Sequence, residues 1–269
     1  MALIDRAGAA ASKAAPSLLA ADESPPFFVL NAGAASPFLL IGDHAGREIP
    51  RRLGRLGLGT PDLDRHIAWD IGVADLGAAL ALSLDACFIS QRFSRLVIDC
   101  NRDPERADSI VEVSDRTVIP GNAGLSAADR QARRAAVFDP YHARIAAELD
   151  DRAARGLPTT LIALHSFTPA MDGSDRPWRY GVLHLNDSPF SRAALARLRQ
   201  EPEGPMVGDN QPYQMAQVDY SVPAHAHSRG HDYLELEVRQ DLLADPAGVA
   251  QIADRLPAVL RDALAAVSG

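Results

Sequence analysis

Residues 161–167 read LIALHSF, four apolar residues suited to a buried strand followed at once by a histidine, a serine and an aromatic ring. Two further runs close in polar chemistry. Residues 38–46, FLLIGDHAG, end on His44, and residues 233–239, YLELEVR, carry Glu235 and Glu237 through a strand-like pattern. Apolar strands that end in polar side chains are the mark of an open α/β sheet, whose ligand site lies beyond the carboxyl ends of its strands. The three ends are expected to converge on one metal ion.

Between these runs the pattern switches to helical spacing. A helix is expected over residues 62–84, with His66, Trp69 and Asp70 in its first turns. A long helix is expected over 126–155, opened by Ser126 and Asp129 in a capping-box pair and interrupted at Pro140; two more are expected over 188–200 and 242–267. Residues 86–90, 96–100 and 180–185 read as further strands, and 206–212 as a strand and turn. Residues 109–125, 169–178 and 221–230 read as loops, the last holding His225 and His227. Strands alternating with helices, and apolar on both faces, predict a three-layer α/β/α fold around a central mixed, mostly parallel sheet. Residues 1–35, rich in alanine and proline, are expected to be an N-terminal arm, and 36–269 a single catalytic domain.

A catalytic zinc takes three protein ligands from His, Asp or Glu and keeps a position for water, whose proton it makes easier to remove. His44 and His165 fit two of the places because each follows a strand that aims it. For the third there are two candidates: Asp70 farther along, and Glu48 four residues past His44; neither makes an HExxH pattern. The water also needs a base. Glu235 and Glu237 share a strand face by the period-two rule, and a covering helix follows them. Arg95, Arg102, Arg176 and Arg179 sit beside the apolar runs and offer planar forks for a substrate carboxylate.

The bulk properties restrict the partners. The chain of 269 residues carries a formal charge of −8 and no basic run, which argues against a nucleic-acid surface. No stretch of 18 uncharged apolar residues suggests a membrane span. Cys87 and Cys100 are the only cysteines, both inside apolar segments, and suit a reducing, cytoplasmic setting.

At six places in order, between about residues 37 and 245, the sequence resembles the N-formylglutamate amidohydrolase family. They are DHAGREIP at 43–50, HIAWDIG at 66–72, Ser94-Arg95 with DCNR at 99–102, LHSF at 164–167, RPW at 176–178 and LEVRQDL at 236–242. The resemblance implies a fold of the zinc-carboxypeptidase type and hydrolysis of the amide of a small carboxylate-bearing N-acyl substrate, N-formylglutamate to glutamate plus formate. It further implies one zinc per chain held by His44, Asp70 and His165, with Glu48 the alternative third ligand. Glu237 would be the catalytic base and Arg95 would stabilise the oxyanion; Arg102, Asn101, Arg176 and His225 would hold or cover the substrate. The competing expectations are a non-catalytic small-acid-binding protein of the same fold, and a zinc amidase with a different acyl substrate.

Overall fold

The computed structural model describes residues 17–171, 173–185, 188–202 and 204–268. Its centre is a seven-stranded sheet in the order β1-β3-β2-β6-β11-β9-β10. The strands are β1 (Phe27–Leu30), β2 (Phe38–Gly42), β3 (Cys87–Gln91), β6 (Thr160–Phe167), β9 (Tyr180–Leu183), β10 (Val207–Asp209) and β11 (Asp232–Arg239). Two hairpins lie outside it, β4 (Val113–Ser114) with β5 (Thr117–Val118), and β7 (Ala170–Met171) with β8 (Ser174–Asp175). Pairing is parallel from β3 through β2 and β6 to β11, and again between β9 and β10. Only the β1–β3 and β11–β9 pairs of this sheet are antiparallel. The sheet is therefore mixed and mostly parallel, as the alternation of strands and helices predicts.

The helices are α1 (Thr60–Leu63), α2 (Val73–Leu84), α3 (Ala127–Arg133), α4 (Asp139–Ala154), α5 (Pro189–Leu198), α6 (Met215–Val218), α7 (Ser221–His225) and α8 (Pro246–Val267). On one face of the sheet, α2, α5 and α8 cover Phe38, Leu40, Ile162, Leu164, Leu234, Leu236 and Val238 in one apolar core. On the other, α4 and α7 cover Leu39, Ile41, Leu161, Ala163 and Tyr233. The two residue sets alternate along β2, β6 and β11, as side chains on a strand must.

Four expectations need correction. The helix expected over 62–84 is two elements, because Gly72 takes φ +81° at the entry to α2, and a Cβ there would lie 2.4 Å from that of Leu243. His66, Trp69 and Asp70 consequently sit in the loop before α2. Residues 96–100 form no strand: their backbone is drawn into a turn by Val97 N–H donating to Ser94 O and Asp99 N–H donating to Ser109 O. Pro140 does not break its helix. The π turn Arg134–Phe138 widens the coil just before it, and Pro140 falls in the first turn of α4, where its missing N–H costs least. Residues 221–230 are α7 and a 3-10 turn rather than a loop.

The N-terminal arm divides likewise. Residues 1–16 lie outside the described residues, as does Asp172 of the expected 169–178 loop, whereas Phe27–Leu30 pairs with β3 as an edge strand of the sheet.

Candidate metal and catalytic centre

His44 stands two residues past β2, His165 near the carboxyl end of β6 and Glu237 near that of β11, so parallel neighbours deliver all three to one end of the sheet. Glu237 pairs in register with His165 on one side and with Gly181 of β9 on the other. A side chain at Gly181 would meet Gln211 O at 2.1 Å and the Glu237 Cβ at 3.1 Å, so the glycine leaves the carboxylate its space. Asp70 arrives on the loop before α2. That loop is tied down by the Asp70 N–H donating to His44 O at 2.9 Å and by the Ser94 hydroxyl donating to Ala68 O at 2.6 Å.

The Asp70 carboxylate lies between the two imidazoles, with Oδ2 3.0 Å from His165 Nδ1 and 3.6 Å from His44 Nδ1. The remaining nitrogen of each ring faces another carboxylate. His44 Nε2 lies 2.6 Å from Asp99 Oδ1, and His165 Nε2 3.4 Å from Asp43 Oδ2. Asp99 accepts only, so His44 Nε2 carries a proton toward it, and Nδ1 faces Asp70. Carboxylate–imidazole pairs of this kind fix the tautomer and orientation of metal-binding histidines. Asp99 also accepts two bonds from Arg95, whose NH1 reaches Asp70 Oδ1 at 3.4 Å. Asp43 accepts from the Ser221 hydroxyl at 2.8 Å.

The electrostatics ask for positive charge at this point. Burial pulls the His44 and His165 pKa values down, yet the surrounding carboxylates outweigh it and hold both above the ordinary imidazole range. Asp70 and Asp99 are held below the carboxylate range, because their cationic neighbours outweigh a large burial penalty. One ligand atom from each of His44, Asp70 and His165 falls within 4.8 Å of the other two, and all three side chains are buried. His44 Nδ1 has no hydrogen-bond partner among the described residues. Two histidines and an aspartate, oriented from behind and with a ring nitrogen left over, suit a zinc ion with one position open to solvent.

The centre opens into a cavity of about 570 Å³ lined by His44, Asp70, Arg95, Asn101, Arg102 and Glu237, together with Asp219, Glu235 and side chains from the β4–β5 hairpin. Burial raises the Glu237 carboxyl to about 7, with Asp70 and Asp219 adding to the rise and His165 opposing it. A carboxyl poised there exchanges a proton readily near neutrality. Its Oε2 lacks a hydrogen-bond partner among the described residues.

Of the residues singled out in the sequence, the structure brings His44, Asp70, Glu237, Arg95, Asn101 and Arg102 to this cavity, with His165 buried against His44 and Asp70 at its edge. It does not bring Glu48, Arg176 or His225. The Glu48 carboxylate is half exposed and paired with Arg92 at 3.0 Å. Arg176 lies behind the cavity-lining Tyr213, stacked on its ring and donating to its hydroxyl at 2.9 Å. His225 is buried on α7, its ring stacked on His142 with Nε2 2.9 Å from His142 Nδ1. Asn101 lines the cavity, but its amide clasps another loop: Nδ2 donates to Asp219 and Oδ1 accepts from the backbone of Tyr220 and Ser221.

Asp43 and Asp99 flank or open matching stretches, and only their contact with the imidazoles reveals their part. Asp219 has no such signal, since it lies in an irregular segment and reaches the cavity through the fold alone.

A family profile described as N-formylglutamate amidohydrolase matches residues 36–244. The crystal structure of gene product Atu2144 from Agrobacterium tumefaciens is similar over 94% of this chain and 100% of that one, at 35% identity and a TM-score of 0.90. N-formylglutamate amidohydrolase from Ralstonia eutropha JMP134 shares the fold at 20% identity and a TM-score of 0.63, over 89% of this chain and 97% of that one. A search of curated sequences returns no significant match.

Proposed function

Because this chain belongs to the N-formylglutamate amidohydrolase family, and because its buried centre joins a metal-ligand set to a free carboxylate, we propose that it is a zinc-dependent hydrolase of N-acyl amino acids. The reference substrate is N-formylglutamate, cleaved to glutamate and formate. The observation that carries the reading is the convergence of His44, Asp70 and His165 beside Glu237 at the floor of one cavity.

His44, Asp70 and His165 would hold the ion, with Asp99 and Asp43 fixing the rings from behind. When bound, zinc polarises an acyl oxygen and lowers the pKa of a water. Glu237 takes the proton of the attacking water on its unpaired Oε2 and returns it to the leaving nitrogen. Arg95, held by Asp99 and Asp70, keeps an edge on the cavity from which it offsets charge gathering on the acyl oxygen. Arg102 receives the substrate carboxylate. Its guanidinium lines the cavity, with NH1 donating to Asn101 O at 3.1 Å and 3.6 Å from Asp219 Oδ1. Among the described residues no helix is long and apolar enough to cross a membrane. Two buried free thiols, Cys87 and Cys100, support a reducing cytoplasmic setting.

The test is metal content of protein purified without added metal, alongside formate release from N-formylglutamate with and without a chelator. About one zinc per chain with chelator-sensitive release is expected. Zinc without release would move the question to the acyl or amine half. No metal even after zinc is supplied would sink the hydrolase reading and leave a binding protein.

A further inference from the structure

Beside Glu237 the cavity wall holds a phenol whose oxygen is fixed by a cation. Tyr213 lies between β10 and α6, on a segment seated against the strand that borders Glu237. Gln211 O comes so close to Gly181 of β9 that a Cβ there would lie 2.1 Å from it, and Gly181 pairs in register with Glu237. The segment is pinned by the Asn210 N–H, which donates to Val182 O at 2.9 Å, and by the Asn210 side-chain oxygen, which accepts from the His184 N–H at 2.9 Å. Tyr213 lines the cavity together with Glu237 and Arg95. Both are among the charges that act on its hydroxyl, so the phenol sits at the reacting end of the cavity.

Arg176 NH1 donates to the Tyr213 hydroxyl at 2.9 Å, and the guanidinium carbon stands 4.8 Å from the centre of the ring. An arginine only donates, so the phenol oxygen accepts and its own proton is left for another partner. Among the described residues no group accepts it: the hydrogen bond that Tyr213 makes there is the one from Arg176. Burial holds the phenol above its ordinary range, with Glu237 adding to the rise and the two guanidiniums opposing it, so the proton stays in place near neutrality. Arg176 is itself held: its N–H donates to Pro169 O at 2.8 Å and NH2 to Met171 Sδ at 3.1 Å, while its carbonyl accepts from Arg239 at 3.4 Å. A donor whose oxygen is fixed and whose proton is uncommitted suits a developing negative charge, because little has to reorient as the charge appears. Arg95 has already given bonds to Asp99 and Asp70, which leaves room for a second donor.

We propose that Tyr213 is a second catalytic donor, its hydroxyl giving a hydrogen bond to the acyl oxygen beside Arg95 as water adds, and that Arg176 is the positioning residue that turns the phenol toward it. The proposal rests on the hydrolase reading for where the amide lies, and it adds the group that meets the oxyanion. The phenol keeps its proton throughout, while Glu237 carries the one that water loses. Arg176 thereby takes part in the reaction without touching the substrate.

The experiment uses the full chain supplied with zinc and two variants: Tyr213→Phe, which keeps the ring, and Arg176→Gln, which removes the cation behind it. Calorimetry follows binding of 2-(phosphonomethyl)pentanedioic acid, a tetrahedral mimic of hydrated N-formylglutamate, and of L-glutamate, which has no acyl oxygen. Tyr213→Phe should weaken the phosphonate about tenfold or more and leave L-glutamate unchanged. It should also lower kcat for formate release by about 10²–10³-fold with KM little altered. Arg176→Gln should weaken the phosphonate less, and add nothing once Tyr213→Phe is present, as expected of a residue that acts through the phenol. Unchanged phosphonate affinity in Tyr213→Phe, or equal losses for phosphonate and glutamate, would overturn the donor; a full effect of Arg176→Gln without the phenol would overturn the positioning. Phosphonate loss in Tyr213→Phe where the wild type releases no formate sinks the hydrolase reading of this acyl group and keeps the donor. Formate release with no phosphonate loss sinks the donor alone.

Discussion

The two faces of the central sheet are made by the same strands and have opposite characters. Along β11, Leu234, Leu236 and Val238 point into an apolar core under α2, α5 and α8, while Tyr233, Glu235 and Glu237 point the other way. Along β6, Ile162 and Leu164 alternate with Ala163 and His165 in the same sense. One face gains free energy from burial; the other surrenders part of it to keep two acids and an imidazole out of water. The lesson is that a strand buried on both sides lets neighbouring residues serve stability and chemistry separately, a single peptide unit apart.

The sharpest way to break that division is to change Glu237 and Leu236 one at a time. Glu237→Gln should lower turnover by about 10²–10⁴-fold while the metal content, measured on the same sample, stays at the wild-type level. Leu236→Ala, a wholly buried leucine on the apolar face, should cost about 2–5 kcal/mol in chemical unfolding and leave the metal content of the folded protein unchanged. If Leu236→Ala removed the metal, or Glu237→Gln cost as much stability as Leu236→Ala, the two faces would not be separable. Asp99→Asn keeps the shape behind His44 but removes the charge, and should weaken metal affinity by about 10–100-fold in a chelator titration.

A smaller effect tests the layer behind the polar face. His142 and His225 stack there, beside Asp43, Asp139 and Arg229, and burial lowers each to about 4 from an unfolded value near 6.5. The unfolded chain therefore takes up protons that the folded one refuses. Their contribution is intact above about pH 6.5 and is lost as the pH falls toward 4, at about 1.4 kcal/mol per pH unit for each histidine. Unfolding midpoints across that window should fall less steeply in His142→Gln than in the wild type. The least effect belongs to Glu48→Ala, which removes an exposed ion pair with Arg92 and should change stability by no more than about 0.5 kcal/mol and the metal content not at all. Loss of metal in that variant would reopen Glu48 as a ligand.

The strands that carry His44, His165 and Glu237 were legible because buried strands write themselves as continuous apolar runs, and the polar residue that ends one stands out. Asp70 was legible as a residue but not in its setting. The apolar spacing of residues 67–82 runs straight through Gly72, so nothing in the period betrays that the chain turns there. Residues 96–100 are apolar enough for a strand, yet their peptide groups find partners in Ser94, Ser109 and the buried guanidinium of Arg133, a choice made by distant residues. Asp219 and the withdrawal of His225 belong to the same class. Both depend on how an irregular segment folds over the sheet, which local propensity does not encode.

The π turn ahead of Pro140 sets an angular phase. Arg133, which braces the turn at Val97 and the backbone at Gly121, and Tyr141, in the polar layer behind Asp43, are both fully buried on one continuous rod. Eight residues of regular α-helix would leave them about 80° apart; the surplus residue of the widened turn brings that to about 20°. Deleting one residue from 134–138 would leave seven residues of regular α-helix between them and the same separation of about 20°, so the widened turn lets the chain carry one extra residue without moving either wall, while Val137 and Phe138 within it stay committed to the core.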